Sequence, residues 1–132
     1  MNSTGIVVDK ILNIANQYYT QDKSKFILVK ESGYDQVYDQ ITVDVISKEL
    51  KNQPERIEEW LTFSEDQRTS EGCYFKVENG KNIVAQFSTK NGYEVTENEY
   101  PDIATACAMF IKFEIEYSRE LAIADDKKKK RK

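Results

Sequence analysis

Residues 73–88 read CYFKVENGKNIVAQFS, two alternating apolar runs on either side of Asn79-Gly80. Asn-Gly is the strongest short-range hairpin signal, because both central residues of a tight type I′ turn need positive φ. An antiparallel pair is therefore fixed in the middle of the chain. The next segment, YEVTENEY (93–100), alternates again and predicts a third strand. A meander of this kind packs against the helices that the rest of the chain supplies, as an α+β domain.

Helical patterns flank the meander. Val7/Val8, Ile11/Leu12, Ile14/Ala15 and Tyr18/Tyr19 recur as the stripe of an amphipathic helix, with Ser3 or Thr4 as its N-cap. In the stretch from Pro54, Ile57, Trp60 and Leu61 share one face and Glu55, Glu58 and Glu59 point away. Pro101 and Asp102 introduce a last helix with an Ala-rich start, IATACAMF. Its face Ala106, Phe110, Phe113, Tyr117 and Leu121 is expected to be covered, and Lys112, Glu116, Arg119 and Glu120 to lie opposite. KFILVKES (25–32) is short, apolar and bounded by polar residues, and predicts a strand. Residues 34–46 fit two patterns. The YDQV/YDQI repeat has helical spacing, whereas ITVDV alternates and is β-branched, which favours a strand paired with 25–31 through Ser32-Gly33. Ser47 then caps a short helix. The fold class expected is α+β: one domain over 1–124, with an antiparallel meander packed against N-terminal, central and C-terminal helices.

Charge is distributed unevenly. The chain ends in six basic residues, 127–132, and its net charge is −4. Setting those six aside leaves 13 basic against 23 acidic residues, a body of −10. Such a body repels phosphate backbones and attracts basic partners. Residues 125–132 are expected to be a solvated, disordered tail. The start, MNSTGIVVDK, has no basic leader followed by a long apolar run. The expected location is therefore the cytoplasm, with Cys73 and Cys107 as free thiols.

Several chemistries are excluded by composition. The chain has no histidine, which removes His-based triads and most transition-metal sites. Its five glycines are scattered and build no phosphate-cradling loop. Cys73 and Cys107 sit in apolar runs and read as buried structural thiols. The paired carboxylates Glu58/Glu59, Glu65/Asp66 and Glu97/Glu99 are the remaining candidates for acid/base work, and exposed charge is their default state. Arg68 reads as an anion-orienting group or a loop-tying ion pair. No enzymatic activity, cofactor or metal is expected.

The acidic residues are interleaved with aromatics. Glu55, Glu58, Glu59, Glu65 and Asp66 accompany Trp60, and Glu94, Glu97 and Glu99 lie between Tyr93 and Tyr100. Aromatic anchors beside charge of one sign are what a protein-binding face uses. Core aromatics beside solubilising acids give the same pattern, and both readings stand at this point. The eight acids are the candidate partner-binding residues.

An acidic, small domain with IEEWLTFSEDQRTSEGCYFKVENGKNIVAQF leading into YPDIATACAMFIKFE resembles bacterial toxin-immunity proteins over residues 54–118. That resemblance implies a cognate basic toxin or nuclease, neutralised by occlusion, and assigns no particular residue to the task. A second resemblance is to winged helix-turn-helix proteins, with VISKELKNQPERIEEWL as the two-helix core and ENGK as the wing tip. It implies nucleic-acid association. Glu55, Glu58 and Glu59 stand where a phosphate-facing helix needs Lys or Arg, which leaves the contacts to the basic tail.

Overall fold

A computed structural model describes the backbone of residues 3–21, 23, 25–67, 73–88 and 94–130. Side chains are described for all of these but 3, 19, 25, 26, 66, 87, 88, 94, 121, 122 and 124–130. The described elements are helices α1 (Ser3–Leu12), α2 (Ile14–Thr20), α3 (Lys25–Ser32), α4 (Tyr34–Val37), α5 (Val43–Asn52) and α6 (Glu55–Gln67), strands β1 (Cys73–Glu78), β2 (Lys81–Ser88) and β3 (Glu94–Tyr100), and helix α7 (Ile103–Lys130). A 3₁₀ turn, Tyr38–Gln40, follows α4. The class is α+β, with the C-terminal helix packed on an antiparallel sheet. Contacts divide the chain into two compact units, Met1–Thr42 with Phe113–Lys132, and Val43–Lys112.

The first unit is helical. Val7, Val8, Ile11, Leu12, Ile14 and Ala15 are buried as their spacing predicts. Asn13 separates α1 from α2, yet its N–H still reaches Asp9 O at 3.2 Å and its carbonyl accepts from Gln17 at 2.9 Å. Thr4 does not cap this helix; its hydroxyl donates to Gln40 Oε1 at 2.7 Å. The segment 25–32 is helix α3, not a strand. Its four consecutive apolar residues carry no period of their own. Packing chose the helix, burying Leu28, Val29 and Ser32 together. Ser32-Gly33 is correspondingly a helix end rather than a hairpin turn. Gly33 adopts φ +84°, the left-handed conformation that glycine takes at helix C-termini.

Along the part of α7 that belongs to the first unit, the buried stripe among the described residues is Glu114, Ile115 and Ser118, while Tyr117 is exposed. The wheel read from sequence therefore differs here, because it discounted polar residues at buried positions. The face expected to be free is engaged as well. Glu116 accepts a hydrogen bond from the buried Tyr34 hydroxyl. Arg119 Nε binds Asp35 Oδ1 at 2.9 Å, with its guanidinium 3.5 Å from the Tyr38 ring centroid.

The second unit contains the meander. Residues 43–52 form helix α5 instead of the strand expected at ITVDV (41–45), so Ser47 lies within a helix and is buried rather than capping one. Val43, Ile46, Ser47 and Leu50 recur at helical spacing, and that stripe outweighs the β-branched propensity of ITVDV. The sheet order is β1-β2-β3, antiparallel throughout. Asn79 and Gly80 turn the hairpin with φ +53° and +76°, as the type I′ signal requires. Rings of Trp60, Phe63, Phe75 and Phe110 meet at centroid separations of 5.3 to 6.4 Å, and so join α6, β1 and α7 in one core. Asp102 caps α7 as its position predicts: Oδ1 accepts the Thr105 N–H at 2.8 Å, and Oδ2 accepts the Thr105 hydroxyl at 3.0 Å.

Candidate protein-binding surface

Helix α6 presents its acids outward because its core stripe points inward. Ile57, Trp60 and Phe63 are buried, and Ser64 joins them. Glu55, Glu58 and Glu65 are exposed, whereas Glu59 is half-buried in an ion pair with Arg56 at 2.9 Å. Glu55 and Glu58 occupy the first turn, where carboxylates complement the helix dipole. The side chain of Asp66 and all of Arg68 lie outside the described residues.

Strand β3 presents the second cluster. Every residue from Val95 to Glu99 is exposed. The register sets Glu97 opposite Ala85 and Glu99 opposite Ile83. Alternation places Glu97 on the sheet face that also carries Tyr74 and Lys76 of β1. Lys76 Nζ lies 3.0 Å from Glu78 and 3.8 Å from Glu97, and its hydrogen bond to Glu78 raises its pKa above the ordinary value. Glu99 makes no ion pair among the described residues. The side chain of Glu94 and all of Tyr93 lie outside those residues.

Phe75, which alternates with Lys76, packs on Phe110, so α7 covers the sheet face opposite to the one bearing Glu97. Helix α6 lies beside β1, where its Ser64 meets the Phe75 N–H and its Glu65 shares a groove with Tyr74 and Lys76 of the Glu97 face. The acids stand on two elements, one helix and one strand, at the two edges of the sheet.

The strand surface has a further property that reading residue types missed. In the hairpin, Glu78 and Lys81 close a two-residue turn as a hydrogen-bonded pair. Backbone pairing alternates along the ladder, so Tyr74, Lys76 and Glu78 bond β2, and Cys73, Phe75 and Val77 turn their backbone outward. The Phe75 N–H accordingly donates to Ser64 Oγ of α6 at 2.7 Å. By the same alternation, Asn82, Val84 and Gln86 bond β3, which leaves the N–H and C=O groups of Val95, Glu97 and Glu99 aimed away from the sheet. The signal was present in the sequence: the last strand of a meander is an edge.

Beside the β1 edge lies a surface groove of about 630 Å³, lined by Leu61, Ser64, Glu65, Tyr74, Phe75, Lys76 and Val77. It holds one of the predicted carboxylates, Glu65, with no second carboxylate in its described lining. Cys107 is buried, and desolvation pushes its thiol pKa up, away from the reactive thiolate. Among the described residues, no group of three His, Cys, Asp or Glu side chains is placed to hold a metal, and no helix is long and apolar enough to cross a membrane. No protein-family model, curated protein or solved structure matches this chain.

Proposed function

We propose that this chain is a noncatalytic protein-binding module that captures a basic partner through its acidic surfaces. In the fuller form of this reading it is an immunity-type inhibitor, which neutralises a basic toxin or nuclease by covering its working surface. The observation that carries the proposal is strand β3, exposed from Val95 to Glu99 and without a single Lys or Arg between residues 94 and 102. The body charge of −10 supplies long-range attraction, and the outward carboxylates of α6 add a second patch.

An acidic helix in the position of a recognition helix supports a protein partner over nucleic acid. So does helix α3, which stands where the winged-helix order has a short strand. The test is co-purification from the native host at low salt, followed by identification of what is retained. A basic protein that is released by added salt, and that is retained poorly by a Glu58→Lys/Glu59→Lys or Glu97→Lys/Glu99→Lys variant, is the expected outcome. A protein that emerges alone at low salt contradicts the proposal.

A further inference from the structure

The two edges of the sheet are treated differently. Helix α6 lies along β1, and Ser64 satisfies the outward N–H of Phe75. On β3, the outward backbone groups are those of Val95, Glu97 and Glu99, in a run from Val95 to Glu99 whose side chains are exposed on both faces of the strand. Natural sheets protect long edges with Pro, bulges, covering helices or charge. Here five consecutive exposed residues run without Pro or bulge, and their ladder to β2 is continuous from Asn82↔Tyr100 to Ser88↔Glu94. Among the described residues only charge guards this edge, and its sign is uniform.

That uniform sign selects the occupant. The β3 strand of a second copy fits poorly. Antiparallel pairing of two β3 strands about Glu97 or Asn98 sets Glu97 opposite Glu97 or Glu99, and like charges directly opposite are destabilising. An extended segment with Lys or Arg at alternate positions meets Glu97 and Glu99 with opposite charge in the same register, and lays its intervening residues beside Thr96 and Asn98. We infer that β3 is the docking edge for an extended basic segment of the partner, which adds to the sheet as a fourth strand after β3. This inference rests on the protein-binding reading above and specifies its mode: backbone hydrogen bonds hold the segment, and Glu97 and Glu99 select its charge.

The probe is an acetylated, amidated octapeptide of alternating lysine and threonine. Its control is the same peptide N-methylated at every lysine, which keeps the charge and removes the donors facing β3. Residue-resolved amide exchange by NMR reads the result. In the free protein, the amides of Thr96 and Asn98 are slow and those of Val95, Glu97 and Glu99 are fast. The unmethylated peptide slows the latter three at least tenfold, and the methylated one does not. Val95→Pro deletes one outward N–H, retains every charge and leaves the ladder to β2 in place; it weakens peptide binding at least tenfold. The amide shifts of β1 and β2 report whether that variant is folded, and the methylated peptide tests the same point on the unaltered protein. If both peptides bind equally and the three amides stay fast, the edge mode is overturned while the acidic-surface reading survives. If neither peptide binds at low salt, the edge mode is also overturned. The acidic-surface reading fails separately, when charge reversal leaves capture of the native partner unchanged.

Discussion

Ser64 Oγ accepts the backbone N–H of Phe75 at 2.7 Å, and this one bond makes the two edges of the sheet unequal. Ser64 is 1% exposed, so removing its hydroxyl takes away the acceptor of a buried hydrogen bond. Ser64→Ala strands a buried N–H and is expected to cost about 1–3 kcal/mol in urea unfolding. The Phe75 amide is expected to exchange faster in the variant. An unchanged midpoint and unchanged exchange mean that the β1 edge is not held by this contact.

Asp102 caps α7, and its hydrogen bond from the Thr105 N–H holds its carboxyl below the ordinary 3.8. A lowered folded-state pKa contributes stability above 3.8, and that stability is lost as pH falls through the folded value. Asp102→Ala is expected to cost about 1 kcal/mol near neutral pH. Asp102→Asn keeps an acceptor and loses the charge. The advantage of the wild type over the Asn variant is expected to shrink as pH drops below 3.8, measured by urea titration at a series of pH values. A constant advantage across that range contradicts the electrostatic part of the cap.

Tyr34 donates to Glu116 from a buried position, and burial followed by that bond raises its pKa well above 10.0. Here the sign is reversed. A raised folded-state pKa contributes stability that is complete below 10.0 and is lost as pH climbs toward the folded value, because the unfolded tyrosine ionises first. Wild-type stability is expected to fall above pH 10 with up to about 1.4 kcal/mol per pH unit from this group. Tyr34→Phe is expected to cost about 1.5 kcal/mol at pH 8 and to lack that component of the alkaline loss. Equal alkaline slopes in the two proteins contradict the assignment.

Local chemistry was legible in the sequence, and choices left to packing were not. Asn79-Gly80 turns the hairpin because the turn's φ values demand those residues. Asp102 caps its helix because the cap is made within four residues. The inward stripe of α6 follows from Ile57 and Trp60, which also fixes Glu55 and Glu58 outward. FILV within 25–32 has no period and takes its helix from its neighbours. ITVDV alternates, yet it surrenders to the longer stripe of Val43, Ile46, Ser47 and Leu50. Glu114 and Ser118 occupy buried positions that a hydrophobic wheel passes over. For the site, the outward acids were readable, but their division between the two edges of the sheet was not. It depends on α6 packing beside β1 while β3 stays at the other edge, and no single segment encodes that.

In the proposed function, acidic carboxylates on α6 and β3 attract a basic partner. Glu58→Lys/Glu59→Lys is expected to leave folding nearly intact, since Glu58 is exposed and Glu59 gives up only a partly exposed pair with Arg56. Glu97→Lys/Glu99→Lys changes exposed residues on one strand, with only Lys76 as a described neighbour in ion-pair range. Partner dissociation is expected to change less than association, because charge acts chiefly on encounter.

The most direct measurement is the association rate of the native partner by stopped flow, at low and high salt, for the wild type and for the variant reversing Glu58, Glu59, Glu97 and Glu99 together. The wild-type rate is expected to fall steeply with salt, and the variant to be at least tenfold slower at low salt and nearly to converge with the wild type at high salt. Equal rates for the two proteins at every salt concentration, with equal affinity, contradict the proposed function: the carboxylates are then solvated surface and nothing more.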